Sequence, residues 1–441
     1  MGNPAMQSPS THPPGGKLRY LNFMAAPVPL VADRPTVRRR RPAVLLGPAF
    51  VAAIAYVDPG NVAANLTAGA EYGYLLVWVL VAANAMAVLV QYLSAKLGLV
   101  SGQSLPEVLG QRMPRTSRLL FWGQAELVAI ATDLAEVIGG AIALKILFGV
   151  PLLFGGVIVG VISTMLLAVQ SRRGQRPFEF VVMGLLAVIA VGFLAGLFVS
   201  SVSWGEAASG LVPRFEGTPT VLLAASMLGA TVMPHAIYLH SSLSRDRHDD
   251  EARSRIGMQR LLRATKWDVG LSLLIAGSVN VAMLLLAAAS LPGVAGTDSI
   301  EGAHAAIENQ LGSAIGVIFG IGLLASGLAS TSVGCYAGAS IMGGLLRFKV
   351  PLLTRRVITL IPALVILALG VNPTWALVLS QVALSIGIPF ALVPLVRLTS
   401  SRAVMGSHVN RPAMKAAAWL VVVLIVALNL VLIALTVTGQ A

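Results

Sequence analysis

Cysteine is almost missing from this chain: its 441 residues include one, Cys335, set in an apolar stretch. One thiol excludes a disulfide within the chain and a cysteine zinc cluster, and leaves the role of a small packed residue. Charge is scarce as well, at 11% of residues with only 18 acids. There is no Walker-type phosphate loop, no His-Glu-x-x-His and no Gly-x-Ser-x-Gly, so ATP-driven pumping and the familiar hydrolases find no support. Long apolar runs are plentiful instead, with 56% of residues hydrophobic, which is the composition of an integral membrane protein. In such a protein the position of the cations matters more than the formal net charge of +13.

Residues 1–42 are rich in Pro, Gly and Ser and end in the basic run Arg38 to Arg41, which reads as a disordered basic cytoplasmic tail. Apolar runs long enough to span a bilayer follow at 44–70, 75–99, 118–148, 151–169, 178–200, 219–242, 268–291, 311–346, 357–371, 374–396 and 413–437. Eleven spans are expected. The ninth is short unless Arg355 and Arg356 join its end, and the eighth is long enough to be two. All but Lys145 and Arg214 of the 31 lysines and arginines fall in the tail or in alternate loops, and splitting the eighth run would destroy that asymmetry. The eighth run is therefore one helix, with the amino terminus cytoplasmic and the carboxyl terminus external. Spans one to five (43–200) and six to ten (218–397) form two sets of five, inverted relative to one another because five is odd, and 412–437 adds an eleventh, peripheral helix.

Each set opens with an interrupted helix. In Ala55-Tyr-Val-Asp58-Pro59-Gly60-Asn61, Pro59 has no amide hydrogen to offer the carbonyl of Ala55, and Gly60 eases departure from helical geometry. Ala230-Thr-Val-Met233-Pro234-His235 repeats the device, with Pro234 freeing the carbonyl of Ala230. Asp58 would lie near the bilayer centre, where a bare carboxylate costs roughly 2.5–3.5 kcal/mol, so it marks a functional site. Paired broken helices point to a midplane binding site. The donors on offer are the Asp58 carboxylate, the Asn61 amide oxygen, the Ala55 and Ala230 carbonyls and the Met233 thioether. Oxygens plus one soft sulfur suit manganese, iron and softer transition metals better than magnesium or calcium, and the absence of a second sulfur argues against copper(I).

Span three carries Glu126, Asp133 and Glu136. On a helix Asp133 lies about 20° and Glu136 about 80° from Glu126, so the three share one face. They read as a proton route or as interhelical ion pairs with Arg355 or Arg356 as partners, and both can hold at once. His235 has three readings: metal ligand, proton carrier or hydrogen-bonded packing residue, and His240 is expected to be the last. Asn84, Gln91, Asn280, Gln381 and Asn429 are expected as interhelical hydrogen-bonding groups, with Gln381 singled out because span ten should pack beside the breaks.

With Asp58-Pro59-Gly60-Asn61 and Met233-Pro234-His235 in paired broken helices, supported by Gln124-Ala125-Glu126 and Thr132-Asp133-Leu134-Ala135-Glu136, the chain resembles the bacterial Nramp family of proton-coupled divalent-metal transporters over about residues 43–437. The resemblance implies an all-α integral membrane protein with a LeuT-like 5+5 inverted repeat, helices one and six broken at the midplane. It implies import of Mn2+ or Fe2+ with protons across the bacterial plasma membrane, with no cofactor and no enzymatic activity. It puts the metal ligands on Asp58, Asn61, Met233 and the Ala55 carbonyl, with the Ala230 carbonyl and Gln381 joining in some conformations. The proton route falls on Asp58, His235, Asp133, Glu136, Arg355 and Arg356, to which Glu126 is added from its place on the same stripe. The expected partners are divalent metal ions, protons and lipid, not nucleic acid, and the expected state is a monomer. Two other readings stand beside this one: a sodium-coupled amino-acid carrier of the same architecture, and an intramembrane enzyme using Asp58 and His235 as acid and base.

Overall fold

The computed structural model describes residues 2, 47–252, 255–297, 299–348 and 351–438. Apart from Gly2, the expected cytoplasmic tail lies outside the described residues. The first broken helix comprises α1 (Pro48–Ala53), a 3-10 turn (Ile54–Val57) and α2 (Pro59–Tyr72). Then follow α3 (Val77–Ser101), the short α4 (Leu105–Arg112), α5 (Arg115–Phe148), α6 (Leu152–Arg173), α7 (Gln175–Val199) and α8 (Trp204–Ser209). The second broken helix is α9 (Gly217–Thr231) with α10 (Pro234–Ala252). It leads into α11 (Arg255–Ser290), α12 (Ile300–Leu311), α13 (Ser313–Leu346), α14 (Leu352–Ala368), α15 (Pro373–Thr399), α16 (Arg402–Met405) and α17 (Pro412–Val437).

The order of elements recurs: a broken helix, a long helix, a short helix, then three helices of 17 residues or more. The short α4 and α12, in matching places, are elements that the apolar runs did not announce. Among the described residues nine helices are long and apolar enough to cross a membrane by themselves. The first broken helix is divided at Asp58 and α14 has 17 residues, so neither counts as a single long span. The eighth apolar run is one continuous helix of 34 residues, as its charges required. The ninth begins at Leu352 rather than 357, because Arg355 and Arg356 are helical and buried.

The centre of the molecule is built on close approach of backbones. A side chain on Gly327 of α13 would meet the Cα of Gly140 on α5 at 2.8 Å, and one on Gly192 of α7 would meet the Cα of Gly322 on α13 at 2.7 Å. Lipid chains are as apolar as leucine, so helices in a bilayer gain little from hiding apolar surface from each other and associate instead through such contacts and through hydrogen bonds. Large apolar side chains such as Leu120, Phe180 and Phe198 accordingly face outward. At the start of α1 the amides of Gly47 and Ala49 donate to Oδ1 and Oδ2 of Asp268 on α11, both at 3.0 Å. That carboxylate supplies the acceptors that a helix N-terminus lacks.

Candidate metal site between the two breaks

The first break is made by Asp58 as much as by Pro59. Asp58 is extended (φ −73°, ψ 168°) and serves as N-cap of α2: the Asn61 amide donates to its Oδ1 at 2.7 Å. Pro59 occupies the first helical position, where a missing N–H costs nothing and its fixed φ suits the helix. The Asp58 carboxylate therefore sits at the positive end of the α2 dipole. Carbonyls on the approach to the break are taken up by other helices. Tyr56 accepts from Asn280 Nδ2 at 2.7 Å, and Val57 accepts from Ser326 Oγ at 2.5 Å. Ala55 is buried within the 3-10 turn.

The second break falls at Val232–Met233, between α9 and α10. The Pro234 nitrogen has no hydrogen for the carbonyl of Ala230. That carbonyl accepts instead from Asn61 Nδ2 at 2.8 Å, while the same Nδ2 also donates to Asp58 Oδ1 at 2.8 Å. One amide group thus ties the two breaks together. Met233 is fully buried, and Gln381 of α15 packs directly onto the first break. A side chain on Gly60 would meet Gln381 Nε2 at 1.7 Å, so glycine is what admits the amide there.

Three buried oxygens in this cluster have no protein partner: Asp58 Oδ2, Asn61 Oδ1 and Gln381 Oε1. Leaving such groups unpaired costs about 1–3 kcal/mol each, more for a charge, unless something occupies them. An electron-pair acceptor is what they suit. Among the described residues no three of His, Cys, Asp or Glu gather as a metal cluster. A cation here is accordingly met by one negative charge and neutral donors. Gly60→Ala would push Gln381 off the break. We expect its thermal stability to fall and its apparent Mn2+ affinity to weaken about tenfold or more, the usual scale when a group that supports a metal site is displaced; isothermal titration giving the parental affinity would remove Gln381 from the site.

The acids of α5 separate into paired and unpaired. Arg356 Nη1 donates to Asp133 Oδ1 and Oδ2 at 2.5 and 2.6 Å, Thr331 Oγ1 donates to Oδ1 at 2.5 Å, and Arg356 Nε donates to Ser163 Oγ at 2.9 Å. Glu126 pairs with Arg355 at 2.7 Å. Glu136 is fully buried, and neither of its oxygens has a protein partner. The ion-pair reading therefore holds for Glu126 and Asp133 and fails for Glu136. His235 is buried, 3.4 Å from Thr132 Oγ1 through Nδ1, with Nε2 unpartnered. Thr132 Oγ1 also donates to the Val128 carbonyl at 2.9 Å, so its hydroxyl proton is held by the backbone of its own helix.

His240 is held at 2.8 Å from Gln91, which in turn donates to the Tyr56 hydroxyl at 2.6 Å, and so is a hydrogen-bonded packing residue. Asn280 and Asn429 make interhelical bonds, and Asn84 packs against Gly277. Asn65, Ser163, Ser326 and Thr331 escaped the sequence reading, and Thr132 entered it only as part of a motif. Asn65 lies one turn after Asn61, a spacing that offered a signal; lone hydroxyls in apolar helices offer none. Cys335 is buried and packed.

Comparison with known proteins gives the family and the fold. The family model described as "Natural resistance-associated macrophage protein-like" matches residues 49–435. The chain is 63% identical over 397 residues to the divalent metal cation transporter MntH of Mycobacterium tuberculosis (strain ATCC 25618 / H37Rv), covering 90% of this chain and 92% of that one. The crystal structure of the Eremococcus coleocola manganese transporter, in complex with an aromatic bis-isothiourea substituted compound, superposes with a TM-score of 0.78 at 31% identity, covering 88% of this chain and 86% of that one. MhsT in complex with L-phenylalanine, at 16% identity and a TM-score of 0.57 with 87% of this chain and 98% of that one covered, shares the LeuT-like fold alone. With one family model running through both breaks and nearly every long helix, the chain belongs to the Nramp family.

Proposed function

We propose that this chain imports divalent transition-metal ions, Mn2+ and Fe2+, across the plasma membrane of a bacterium by proton-coupled alternating access. The observation that carries the reading is the Asn61 amide joined to both the Asp58 carboxylate and the Ala230 carbonyl, beside buried oxygens on Asp58, Asn61 and Gln381 that no protein group satisfies. A metal ion losing most of its water between the breaks would take oxygens from Asp58, Asn61 and the carbonyls of Ala55 and Ala230. Met233 adds its sulfur, and Gln381 joins as the breaks move. The relatives named as divalent metal cation transporters and as a manganese transporter support the substrate class.

The topology proposed for this activity is eleven spans, with repeats at 43–200 and 218–397, a further helix at 412–437, the amino terminus inside and the carboxyl terminus outside. One chain suffices. An inside-negative potential favours inward movement of each positive charge by about 2.3 kcal/mol per 100 mV, and protons add to that drive. Their route runs from Asp58 through His235 to Asp133, Glu136 and the pairs formed by Arg356 and Arg355, ending at Glu126. The chain is not an enzyme and needs no cofactor. An amino-acid carrier of the same fold is disfavoured because the Asp58 carboxylate would repel a substrate carboxylate.

The test is uptake into liposomes with internal pH recorded, across Mn2+, Fe2+, Cd2+, Mg2+ and Ca2+. Acidification accompanying Mn2+ entry is expected; metal entry without it would remove the coupling. Met233→Ala, having lost the sulfur that all-oxygen ions do not need, should let Ca2+ and Mg2+ compete better with Mn2+ than in the parent. Unchanged competition would take selectivity away from Met233.

A further inference from the structure

A cavity of about 280 Å³ lies where three spans end, between α3, the first turns of α11 and the connection from α15 to α17. Its lining includes Lys96, Lys266, Arg411 and His408 but no carboxylate. Lys96 is not a loop lysine waving in water: it is 5% exposed. One of its three donors goes to Asn410 Oδ1 at 2.8 Å, and among the described residues it forms no ion pair. Asn410 is itself fixed, its amide donating to the Thr399 carbonyl at 3.1 Å and its Nδ2 to Thr399 Oγ1 at 2.9 Å. Lys266 Nζ stands 5.5 Å from the ring centroid of the buried Tyr92, on the same wall.

A buried ammonium with a neutral partner and two further cations around one cavity is unfavourable by itself, and an anion between them reverses the sign. We propose that this cavity binds the phosphate of an anionic membrane lipid. Lys96 and Lys266 act as point charges, and the Arg411 fork supplies paired donors suited to phosphate oxygens. Two features favour a lipid over free phosphate. The cavity is at the ends of spanning helices, at headgroup depth, where basic pockets between helices take such groups. The flanking helices also expose apolar side chains for acyl chains to lie on: Trp267, Leu271 and Leu274 on α11, and Leu420 and Val423 on α17. Trp267, next to Lys266, is the amphipathic ring expected at a membrane–water boundary.

The test uses the full-length protein in detergent, titrated with phosphatidylglycerol, with phosphatidylcholine of the same chains and with inorganic phosphate, and reads lipid retention by native mass spectrometry together with the thermal midpoint. Phosphatidylglycerol should be retained in preference to phosphatidylcholine and raise the midpoint. The double variant Lys266→Gln/Arg411→Gln, whose side chains are exposed and safe for folding, should weaken that retention about tenfold or more. Arg402→Gln/Lys415→Gln removes the same charge from the neighbouring surface and should leave it within about twofold. Parental retention in the first variant, or equal loss in both, would overturn the site. Equal retention of the two lipids, with inorganic phosphate alone raising the midpoint through Lys266 and Arg411, would overturn the lipid assignment.

Discussion

Asp58→Asn is expected to abolish Mn2+ uptake while leaving the protein folded. Asparagine caps a helix about as well as aspartate, so the bond from the Asn61 amide and the start of α2 survive the change. What disappears is the one formal charge between the breaks. Losing one member of a buried opposite-charge pair costs about 3–5 kcal/mol, which is more than 100-fold in affinity for a dication. In metal-free buffer the sign reverses: a buried carboxylate with no cation beside it is itself unfavourable, so the variant should unfold at the same temperature as the parent or higher. Uptake in proteoliposomes and the midpoint without metal check both halves. Parental uptake would move the site away from Asp58, and a large drop in the midpoint would make the residue structural.

The second large effect is expected at Arg356, one of the largest fully buried side chains. Arg356→Ala leaves the Asp133 carboxylate in the interior with the Thr331 hydroxyl as its remaining donor. Stability should fall by about 3–5 kcal/mol, the cost of stranding a buried charge. Adding Asp133→Asn removes the stranded charge and should recover much of the loss, since the two changes act on one interaction and do not add. Denaturant titration of the single and double variants measures this. A single variant as stable as the parent, or a double variant at the sum of the two losses, would mean that the pair does not hold α14 to α5. The same cycle run on proton flux separates conduction from cohesion: recovered stability with lost acidification would give Asp133 a part in proton movement.

Much of the fold was legible because a bilayer imposes a long apolar run on each span and leaves the cations in the loops. The eighth run shows this best, where loop charges alone favoured one helix over two and α13 is one helix. The breaks were legible for a local reason, since proline removes a donor wherever it stands. The start of the ninth span was harder. Arg355 and Arg356 read as loop cations by hydropathy, and only their carboxylate partners on α5 allow them inside the helix. The short α4 and α12 were missed because neither is apolar enough to register as a span.

For the site, the sequence by itself put forward the groups proposed to carry the chemistry: an acid and an amide at one proline break, a thioether at the other, and three acids on one face of α5. These follow from chain-local rules, namely a missing N–H, a helical period and the cost of charge in lipid. Only the tertiary structure decided what each group does with its neighbours. Asn61 reaches an acceptor 169 residues away at Ala230, Gln381 fills the space that Gly60 leaves, and Arg356 chooses Asp133 while Glu136 is left unpaired. The physical reason is reach: a hydrogen bond acts over about 3 Å. No spacing along the chain specifies which two helices come that close, because packing of whole helices through their small residues sets it.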